Sequence, residues 1–288
     1  MPSKLDPSQW RDLLRSFLSE DIGAGDVTTE ATVPATLRAR GEVVAKAPLV
    51  LAGIELFAEV FSLLDRTATS DLVSRDGDEL SPGHIPAVVS ASARALLTGE
   101  RVALNLLQRL SGVATLTRRF VRAVEGTGAE ILDTRKTTPA LRALEKYAVR
   151  VGGGRNHRKD LGEAILIKEN HIRLAGSVSE ALRAAKIGRR NAAWIEIEVT
   201  NLDELHEALP HNPDVILLDN MNPRLVRQAV EQVHSHQSTN MIRTEASGGI
   251  TLGNVREFAE AGVDWISIGA LTHSAPAMDL SFEIEPLH

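Results

Sequence analysis

The chain has 288 residues, of which 43% are hydrophobic and 24% charged, as in an ordinary globular protein with room for one large barrel or two modest domains. A formal net charge of −6 and an aromatic content of 3% argue against a nucleic-acid-binding protein. The absence of cysteine excludes disulfides, thiolate nucleophiles and cysteine-ligated metal sites. No apolar signal region opens the chain and no run approaches the ~18 apolar residues that span a bilayer, so the sequence predicts a cytoplasmic protein.

The first part of the chain predicts a mixture of helices and short strands. An amphipathic helix begins at Ser8, and Pro82, Gly83 and Pro86 mark a break further on. The other predicted elements here are a strand near 41–47, a helix near 54–64 and a long helix over 92–126 with a possible kink at Ser111–Gly112.

From residue 131 onward, short apolar runs alternate with helical patterns. The runs are 131–134, 164–168, 194–199, 215–220, 242–247 and 265–270. Residues typical of helix starts lie between them: Thr138 with Pro139 opens a helix that Gly152–Gly154 end, and Ser177, Asn201, Asn222 and Thr251 open the next four. This alternation predicts right-handed βαβ units and a parallel sheet, either doubly wound or closed into a barrel.

The polar residues favour a barrel. Nearly every apolar run ends on a charged side chain or a glycine: Asp133, Arg135, Lys136, Lys168, Glu198, Asp219, Ser247–Gly249 and Gly269. The carboxyl ends of barrel strands converge on one face, whereas six strands of an open sheet could not all aim at one point. Only six strands are clear, so we expect a β/α barrel that is incomplete or partly open.

The segment 131–173 is the most unusual part of the chain. It carries ten Lys or Arg residues against five acids inside an acidic protein. Local positive charge on such a protein indicates a focused anion site. Arginine offers planar two-point contacts to carboxylate or phosphate, and lysine offers a mobile point charge. We therefore expect a ligand with several negative groups.

Two glycine-containing loops suggest where phosphate would bind. Ser247–Gly249 and Gly269 follow the last two predicted strands, the usual position of phosphate in β/α barrels. Glycine lets backbone N–H groups approach an anion closely. Each loop alone could equally be a tight turn, and the two in register favour phosphate.

Two acids at adjacent strand ends need a partner. Glu198 and Asp219 follow largely apolar runs, so they require a cation, a ligand rich in hydroxyl groups or a basic neighbour. Mg²⁺ held mostly through water would suit them, and structural pairing with Lys136 or Lys168 is the alternative. We expect Glu196 to lie on the other barrel face or at a subunit contact.

Three histidines could suggest a metal site, but cationic neighbours argue against one. His157, His171 and His273 show no spacing of four residues among themselves. Hydrogen bonding to an anionic ligand fits His157 and His273, and a supporting or packing role fits His171. On the long helix, Arg101 and Asn105 interrupt a largely apolar surface and are expected to face a site or a partner.

Together these residues resemble the quinolinate phosphoribosyltransferases over almost the whole chain. The resemblance rests on these segments: EDIGAGDVTT (20–29), GERVALNLLQRLSGVAT (99–115), DTRKTTP (133–139), GGGRNHR (152–158), LIKENHI (166–172), IEIEV (195–199), LLDNM (217–221), EASGGI (245–250) and GALTHS (269–274). It departs at Ala140, where glycine is commoner. We expect that alanine to lie inside a helix and to stabilise it modestly.

The resemblance implies a fold and a reaction. It implies an N-terminal α/β sandwich domain, residues 1–110 joined by the tail 275–288, and an open barrel of about seven strands, residues 111–274. It also implies phosphoribosyl transfer from phosphoribosyl pyrophosphate to quinolinate with loss of CO₂, a Mg²⁺ cofactor, and a homodimer in which Arg101 reaches the neighbouring subunit's site.

Site residues carry over by motif. Quinolinate contacts are implied for Arg101, Thr134, Arg135, Lys136, His157, Arg158 and Lys168. Contacts to phosphoribosyl pyrophosphate are implied for Lys136, Lys168, Glu198, Asp219, Ser247, Gly248, Gly249, Ile268, Gly269, Ala270 and His273. Catalytic roles fall to Lys136, Lys168, Glu198 and Asp219, and Mg²⁺ would be held by Glu198 and Asp219 through water.

Three other functions stay open. A related barrel transferase could use another acceptor, although the full arginine set argues against that. A phosphate-binding barrel without activity could act as a sensor. An RNA-binding role for the segment GRNHRK is disfavoured by the overall charge.

Overall fold

A computed structural model describes residues 5–236 and 241–287. Residues 1–4 and 288, which the predicted first domain includes, lie outside the described residues. Within the described ranges, no helix combines the length and the apolar character that a bilayer crossing demands.

The described residues form eleven α-helices, two short 3₁₀-helices and twelve strands. The α-helices are α1 (Arg11–Ile22), α2 (Val27–Thr32), α3 (Ile54–Leu64), α4 (Ala93–Ala123), α5 (Arg142–Val151), α6 (Glu169–Ala175), α7 (Val178–Ile187), α8 (Leu202–Ala208), α9 (Pro223–Ser235), α10 (Val255–Glu260) and α11 (Ala270–His273), and the 3₁₀-helices are Pro7–Trp10 and Leu209–His211. The strands are β1 (Arg38–Ala45), β2 (Leu49–Val50), β3 (Thr69–Leu72), β4 (Glu79–Leu80), β5 (Ala87–Ser92), β6 (Glu130–Leu132), β7 (Ile165–Ile167), β8 (Ile195–Val199), β9 (Val215–Asp219), β10 (Arg243–Ser247), β11 (Trp265–Ser267) and β12 (Leu280–Pro286).

The chain divides into two compact units. The first comprises Met1–Leu116, Arg150–Gly152 and Ala275–His288, and the second comprises Thr117–Val149 and Gly153–Ser274. The division falls inside α4. The domain boundary at 110/111 that the resemblance implied stays a prediction.

The first unit is built on an antiparallel sheet with the strand order β12-β1-β5-β3. The C-terminal strand β12 pairs with β1, so that Ile284 lies opposite Gly41. Phe57 and Phe61 of α3 pack against Phe282 of β12, with ring centroids 5.4 and 5.3 Å apart. Aromatic rings at this separation bury a large apolar surface, which fixes the last strand onto the unit.

The helix α4 is unbroken through Ser111–Gly112, where the sequence suggested a kink. A Cβ at Gly112 would lie only 2.0 Å from the Pro276 carbonyl oxygen, so this glycine is explained by close approach of another backbone segment. Buried leucines occupy most of the helix circumference, whereas Arg101 and Asn105 are exposed. The expectation that this helix is largely buried is therefore correct, and the expectation that Arg101 and Asn105 face a site or a partner stays a prediction.

The second unit contains a parallel six-stranded sheet with the order β6-β11-β10-β9-β8-β7. Five of these strands lie inside predicted apolar runs, and β6 begins one residue before its run, at Glu130. A single bridge pairs Arg155 with Leu132 beyond β6, which adds a seventh, one-residue position at that edge. The predicted α/β class with an open barrel and a separate antiparallel sheet is confirmed.

The parallel sheet is curved. The curvature is evident because side chains from strands that are not neighbours contact one another inside it. Leu132 of β6, Val215 of β9 and Trp265 of β11 form one buried cluster. Glu196 of β8 and Glu245 of β10 approach the same histidine, although β9 separates their strands. Curvature of this kind brings the carboxyl ends of the strands toward one face.

Three of the predicted helix starts are confirmed by their capping hydrogen bonds. The side chains of Ser177, Asn201 and Asn222 each accept from the backbone N–H three residues later. The start predicted at Thr251 is wrong, since α10 begins at Val255. The Asn254 side chain accepts from the Thr251 backbone N–H and closes a turn there instead.

The helix predicted to start at Thr138 begins later, at Arg142. The Glu145 carboxylate accepts from both the backbone N–H and the hydroxyl of Thr138, which holds the approach to the helix. Ala140 therefore precedes α5 and has a φ of 64°, in the left-handed region. Our expectation that Ala140 stabilises a helix was wrong, because a Cβ is disfavoured in this conformation.

Replacing Ala140 by glycine is expected to stabilise the protein by about 0.5–1 kcal/mol, since glycine adopts a positive φ without steric cost. The free energy of unfolding from urea titration measures this change. Ala184→Gly in the exposed face of α7 is the matched control, and should destabilise by about 1 kcal/mol because its backbone is helical. Equal losses in both variants would contradict the strain at Ala140.

Candidate active site

A lysine and a glutamate from neighbouring strands form an ion pair at the carboxyl end of the barrel. Ile167 pairs with Ile197, which places Lys168 beside Glu198 one residue further along. The Lys168 ammonium contacts the Glu198 carboxylate. His171 Nδ1 accepts from the Lys168 backbone N–H at 3.0 Å, so this histidine supports the lysine, as expected. The predicted structural pairing of Glu198 with Lys168 is thus confirmed, and it is compatible with a role of either residue in ligand binding.

Lys136, Gly269 and His273 come together at the same end of the sheet. A Cβ built on Gly269 would lie 3.1 Å from Lys136 Cδ and 3.1 Å from His273 Nε2. The Thr272 hydroxyl donates to the Lys136 carbonyl oxygen at 2.8 Å and ties the two loops together. Glycine here leaves space between two cationic or polar side chains, as a phosphate site requires.

Asp219 and Ser247 are partners in the parallel register of β9 and β10. The Asn220 backbone N–H donates to the Ser247 carbonyl at 2.9 Å, and the Asn220 side chain donates to Asp219 Oδ2 at 2.6 Å. Gly248 has a φ of 94°, and a Cβ there would lie 2.2 Å from Asn220 Oδ1. Only glycine fits this turn, so the two loops are packed closely.

Two guanidinium groups lie near each other. Arg158 is buried, and burial followed by the positive charge of Arg135 lowers its pKa. Arg158 Nη1 donates to the Ala164 carbonyl at 2.9 Å. Arg135 Nε is buried without a hydrogen-bond partner among the described residues. Two like charges beside an unsatisfied donor are unfavourable on their own, and an anionic ligand would offset both effects.

His157 lies inside the barrel between two acids. Its Nε2 is 3.0 Å from Glu196 Oε2 and 3.5 Å from Glu245 Oε2. Both carboxylates are buried, so the expectation that Glu196 lies on the other barrel face or at a subunit contact was wrong. Side chains alternate along a strand, and residues 196 and 198 therefore share a face.

Burial disfavours the charged form of His157, but the interactions of its ring N–H with the accepting carboxylates of Glu196 and Glu245 outweigh burial and raise the pKa of His157 to about 10. Burial and the charge of Glu196 raise the pKa of Glu245. The ligand atoms of these three residues lie within 4.8 Å of one another, close enough for a small cation. The raised pKa of His157 favours a proton in that position.

A buried ion pair lies behind the two arginine-bearing loops. The Lys146 ammonium contacts Asp133, and it also donates to the His157 carbonyl at 2.9 Å. Asn156 Nδ2 donates to Asp133 Oδ2 at 2.5 Å. Burial raises the pKa of Asp133 and lowers that of Lys146, and their mutual attraction opposes both changes. Asp133, predicted among the reactive strand ends, is fully buried and holds the loops together.

The remaining predicted residues are placed as follows. Thr134 Oγ1 accepts from the Lys136 backbone N–H at 3.0 Å, the Ile268 N–H donates to the Leu132 carbonyl at 2.9 Å, and Ala270 begins α11. Arg101 belongs to the first unit, with 61% of its side chain exposed. The barrel residues thus converge in small groups within the second unit.

Sequence reasoning missed three residues at these groups. Glu245 and Asn220 were not singled out, and Lys146 was counted only as a charge. The two-residue period of β10 places Glu245 on the same face as Ser247, which is the signal that could have found it. Lys146 and Asn220 act through loop contacts that no periodicity reveals.

An open parallel barrel with cationic and acidic side chains at its carboxyl ends places the protein among the α/β-barrel enzymes that act on anionic substrates. Family models for the quinolinate phosphoribosyl transferase N-terminal domain and C-terminal domain match residues 26–111 and 113–283. The chain therefore belongs to the quinolinate phosphoribosyl transferase family.

Individual relatives agree with this assignment. A probable nicotinate-nucleotide pyrophosphorylase [carboxylating] of Bacillus subtilis is 45% identical over 276 residues, covering 96% of this chain and 93% of its own length. The nicotinate-nucleotide pyrophosphorylase [carboxylating] of Mycobacterium leprae is 43% identical, with 95% and 96% covered. The crystal structure of NadC from Streptococcus pyogenes has a TM-score of 0.93 at 39% identity, with 99% and 100% covered. The resemblance stated from the sequence is confirmed.

Proposed function

We propose that this protein transfers the phosphoribosyl group of phosphoribosyl pyrophosphate to quinolinate and releases CO₂, giving nicotinate mononucleotide and pyrophosphate. Membership of the family supports this activity. The observation that carries it is the pair of neighbouring guanidinium groups of Arg135 and Arg158, with a buried donor left unsatisfied. A small planar dicarboxylate supplies the negative oxygens that such a pair needs.

The chain's residues would bind the two substrates at adjoining groups. Arg135, Arg158 and His157 would take the carboxylates of quinolinate. Lys136, His273 and the glycine loops at 248–249 and 269 would take the phosphate and pyrophosphate oxygens. Two observations support this division: Lys136 and His273 meet at Gly269, whereas Arg135 lies near Arg158.

The reaction then needs orientation more than proton transfer. The lone pair of the pyridine nitrogen forms a bond to ribose C1 as the C1–O bond breaks, and that electron pair leaves with pyrophosphate. The C2–carboxylate bond then breaks, its electrons stay on C2 beside the positive ring nitrogen, and solvent supplies a proton. Lys136 and Lys168 would neutralise the departing pyrophosphate, and Glu198 and Asp219 would orient the ribose hydroxyls.

Mg²⁺ fits the residues present. Glu198 and Asp219 offer hard carboxylate oxygens at the ends of adjacent strands, and Asp219 accepts a hydrogen bond from the neutral Asn220 side-chain amide. Mg²⁺ commonly binds through one or two carboxylates while keeping several waters. When bound, it would neutralise pyrophosphate charge. Since Lys168 already pairs with Glu198, we propose that contact with this acid is through water.

We also propose a cytoplasmic homodimer in which Arg101 reaches the site of the neighbouring subunit. Arg101 is exposed and its ion pair with Glu100 is loose, at 3.9 Å. An exposed arginine on an otherwise buried helix is available to a partner.

The proposed activity is tested by incubating the protein with quinolinate, phosphoribosyl pyrophosphate and Mg²⁺ and measuring CO₂ and pyrophosphate. We expect one of each per nicotinate mononucleotide formed, and no reaction with nicotinate in place of quinolinate. Turnover with nicotinate but not quinolinate would identify a transferase with another acceptor. Binding of phosphoribosyl pyrophosphate without pyrophosphate release would identify a sensor, and either result would overturn the proposal.

A further inference from the structure

His157 is held by its backbone as well as its ring. Its backbone N–H donates to Asp133 Oδ1 at 2.9 Å, and its carbonyl accepts from Lys146 Nζ at 2.9 Å. Asp133 and Lys146 are themselves buried. The position of the main chain is therefore fixed, and the orientation of the imidazole ring is the freedom that remains.

Glu196 and Glu245 remove that freedom. Glu196 Oε2 lies 3.0 Å from His157 Nε2 and also accepts from Trp194 Nε1 at 3.0 Å. The Ser267 hydroxyl donates to Glu245 Oε1, while Glu245 Oε2 faces His157 Nε2. The Trp194 ring packs edge-on against the imidazole at 5.7 Å. Each carboxylate is thus oriented by a donor of its own before it meets the histidine.

Burial of the Glu196 and Glu245 carboxylates is unfavourable for the stability of the fold. Glu196 is fully buried and Glu245 nearly so. Glu196 Oε1 has no hydrogen-bond partner among the described residues, and Glu245 Oε2 has only its 3.5 Å contact with His157 Nε2. Apolar side chains of similar volume would fill the barrel interior at lower cost. A buried acid pair around one histidine is therefore better explained by what it does to that histidine than by stability.

We propose that Glu196 and Glu245 are positioning residues for the reaction, which hold the His157 ring so that Nδ1 faces a carboxylate of the substrate. This inference rests on the proposed function, in which His157 contacts quinolinate. Since Nε2 is engaged by the acids, Nδ1 is the ring nitrogen left to donate. Neither acid touches substrate in this arrangement, and both act through His157.

The test is a steady-state comparison of Glu196→Gln and Glu245→Gln with the wild-type enzyme. The KM for quinolinate should rise about tenfold, because a hydrogen bond to a charged group is lost, while kcat and the KM for phosphoribosyl pyrophosphate stay within about twofold. Glu130→Gln is the matched control, since Glu130 is a strand acid of the same barrel that contacts Arg155 and Trp265 instead. It should leave all three constants unchanged.

A double-mutant cycle separates positioning from independent binding. The quinolinate KM of His157→Ala/Glu245→Gln should match that of His157→Ala alone, because the acid acts only through the missing ring. Additive rises, or equal rises in the KM of both substrates, would overturn the inference. A wild-type protein that releases no pyrophosphate would refute the proposed function, whereas an active wild type with an unaffected Glu245→Gln variant would refute this inference alone.

Milder variants keep the test decisive if a glutamine variant fails to fold. Ser267→Ala removes the donor to Glu245, and Trp194→Phe removes the donor to Glu196 while keeping an aromatic ring. Each should raise the quinolinate KM by a few-fold in the same direction. Unchanged quinolinate constants in both folded variants would contradict a positioning role.

Discussion

Replacing Arg158 by alanine is expected to raise the KM for quinolinate about 100-fold, while the KM for phosphoribosyl pyrophosphate changes little. Truncating one partner of a buried charge pair between protein and ligand costs about 2–5 kcal/mol, and 1.4 kcal/mol is a factor of ten. Arg158 is buried beside Arg135, so its charge meets the ligand in a poorly hydrated setting. Initial rates at varied quinolinate concentration measure the effect.

Arg158→Ala should lower the free energy of unfolding of the ligand-free protein only slightly, although it weakens quinolinate binding strongly. Removing one of two neighbouring positive charges relieves repulsion, which offsets the lost contact to the Ala164 carbonyl. Arg155→Ala is the control, because Arg155 lies three residues earlier and pairs with Glu130 at 2.6 Å. A quinolinate KM that is unchanged in Arg158→Ala, or equally raised in Arg155→Ala, would exclude Arg158 from the carboxylate site.

The strand positions could be predicted because local and long-range signals agree in this barrel. A buried parallel strand reads as a short apolar run, and each run ends where the chain must supply a charged side chain or a glycine. The caps at Ser177, Asn201 and Asn222 were predictable for the same reason, since one side-chain oxygen satisfies a backbone N–H three residues away.

The wrong predictions for Thr138, Ala140 and Thr251 share a different cause. Thr138 and Thr251 have the right chemistry to cap a helix, but Glu145 and Asn254 engage them in turns before the helices start. Ala140 lies in such a turn, and a positive φ at a non-glycine residue leaves no local trace in the sequence. Competing side-chain hydrogen bonds of this kind depend on loop geometry.

The interior of the barrel was the least predictable part of the site. His157 reaches Glu196 and Glu245 across the sheet, and neither pairing has a fixed separation in the chain. The spacing of Glu196 and Glu198 is visible in the sequence, and the two-residue period of a strand places both acids on one face. The family resemblance implied site roles for the charged residues at the strand ends, but it implied none for Glu196 and Glu245.

Replacing Asp219 by asparagine is expected to lower kcat/KM for phosphoribosyl pyrophosphate about 100-fold, mainly through kcat, with little change in the KM for quinolinate. Removing one preorganised electrostatic group commonly lowers kcat by about 10²–10³. The Glu198 carboxylate forms an ion pair with Lys168, whereas no ion pair to Asp219 occurs within residues 5–236 and 241–287. The full charge of Asp219 is therefore available to ribose hydroxyls or to the waters of Mg²⁺.

The opposite end of the same strand provides the control for Asp219→Asn. Asp214 precedes β9, pairs with Arg189 at 3.1 Å and accepts from the Ile195 backbone N–H, so Asp214→Asn should lower stability without lowering kcat. If Asp219 acts through a metal, raising the Mg²⁺ concentration should recover part of the lost rate. If it orients the ribose directly, the loss should be independent of Mg²⁺. An unaltered kcat/KM for phosphoribosyl pyrophosphate would reject both roles, because the carboxylate would then not act at the carboxyl end of β9.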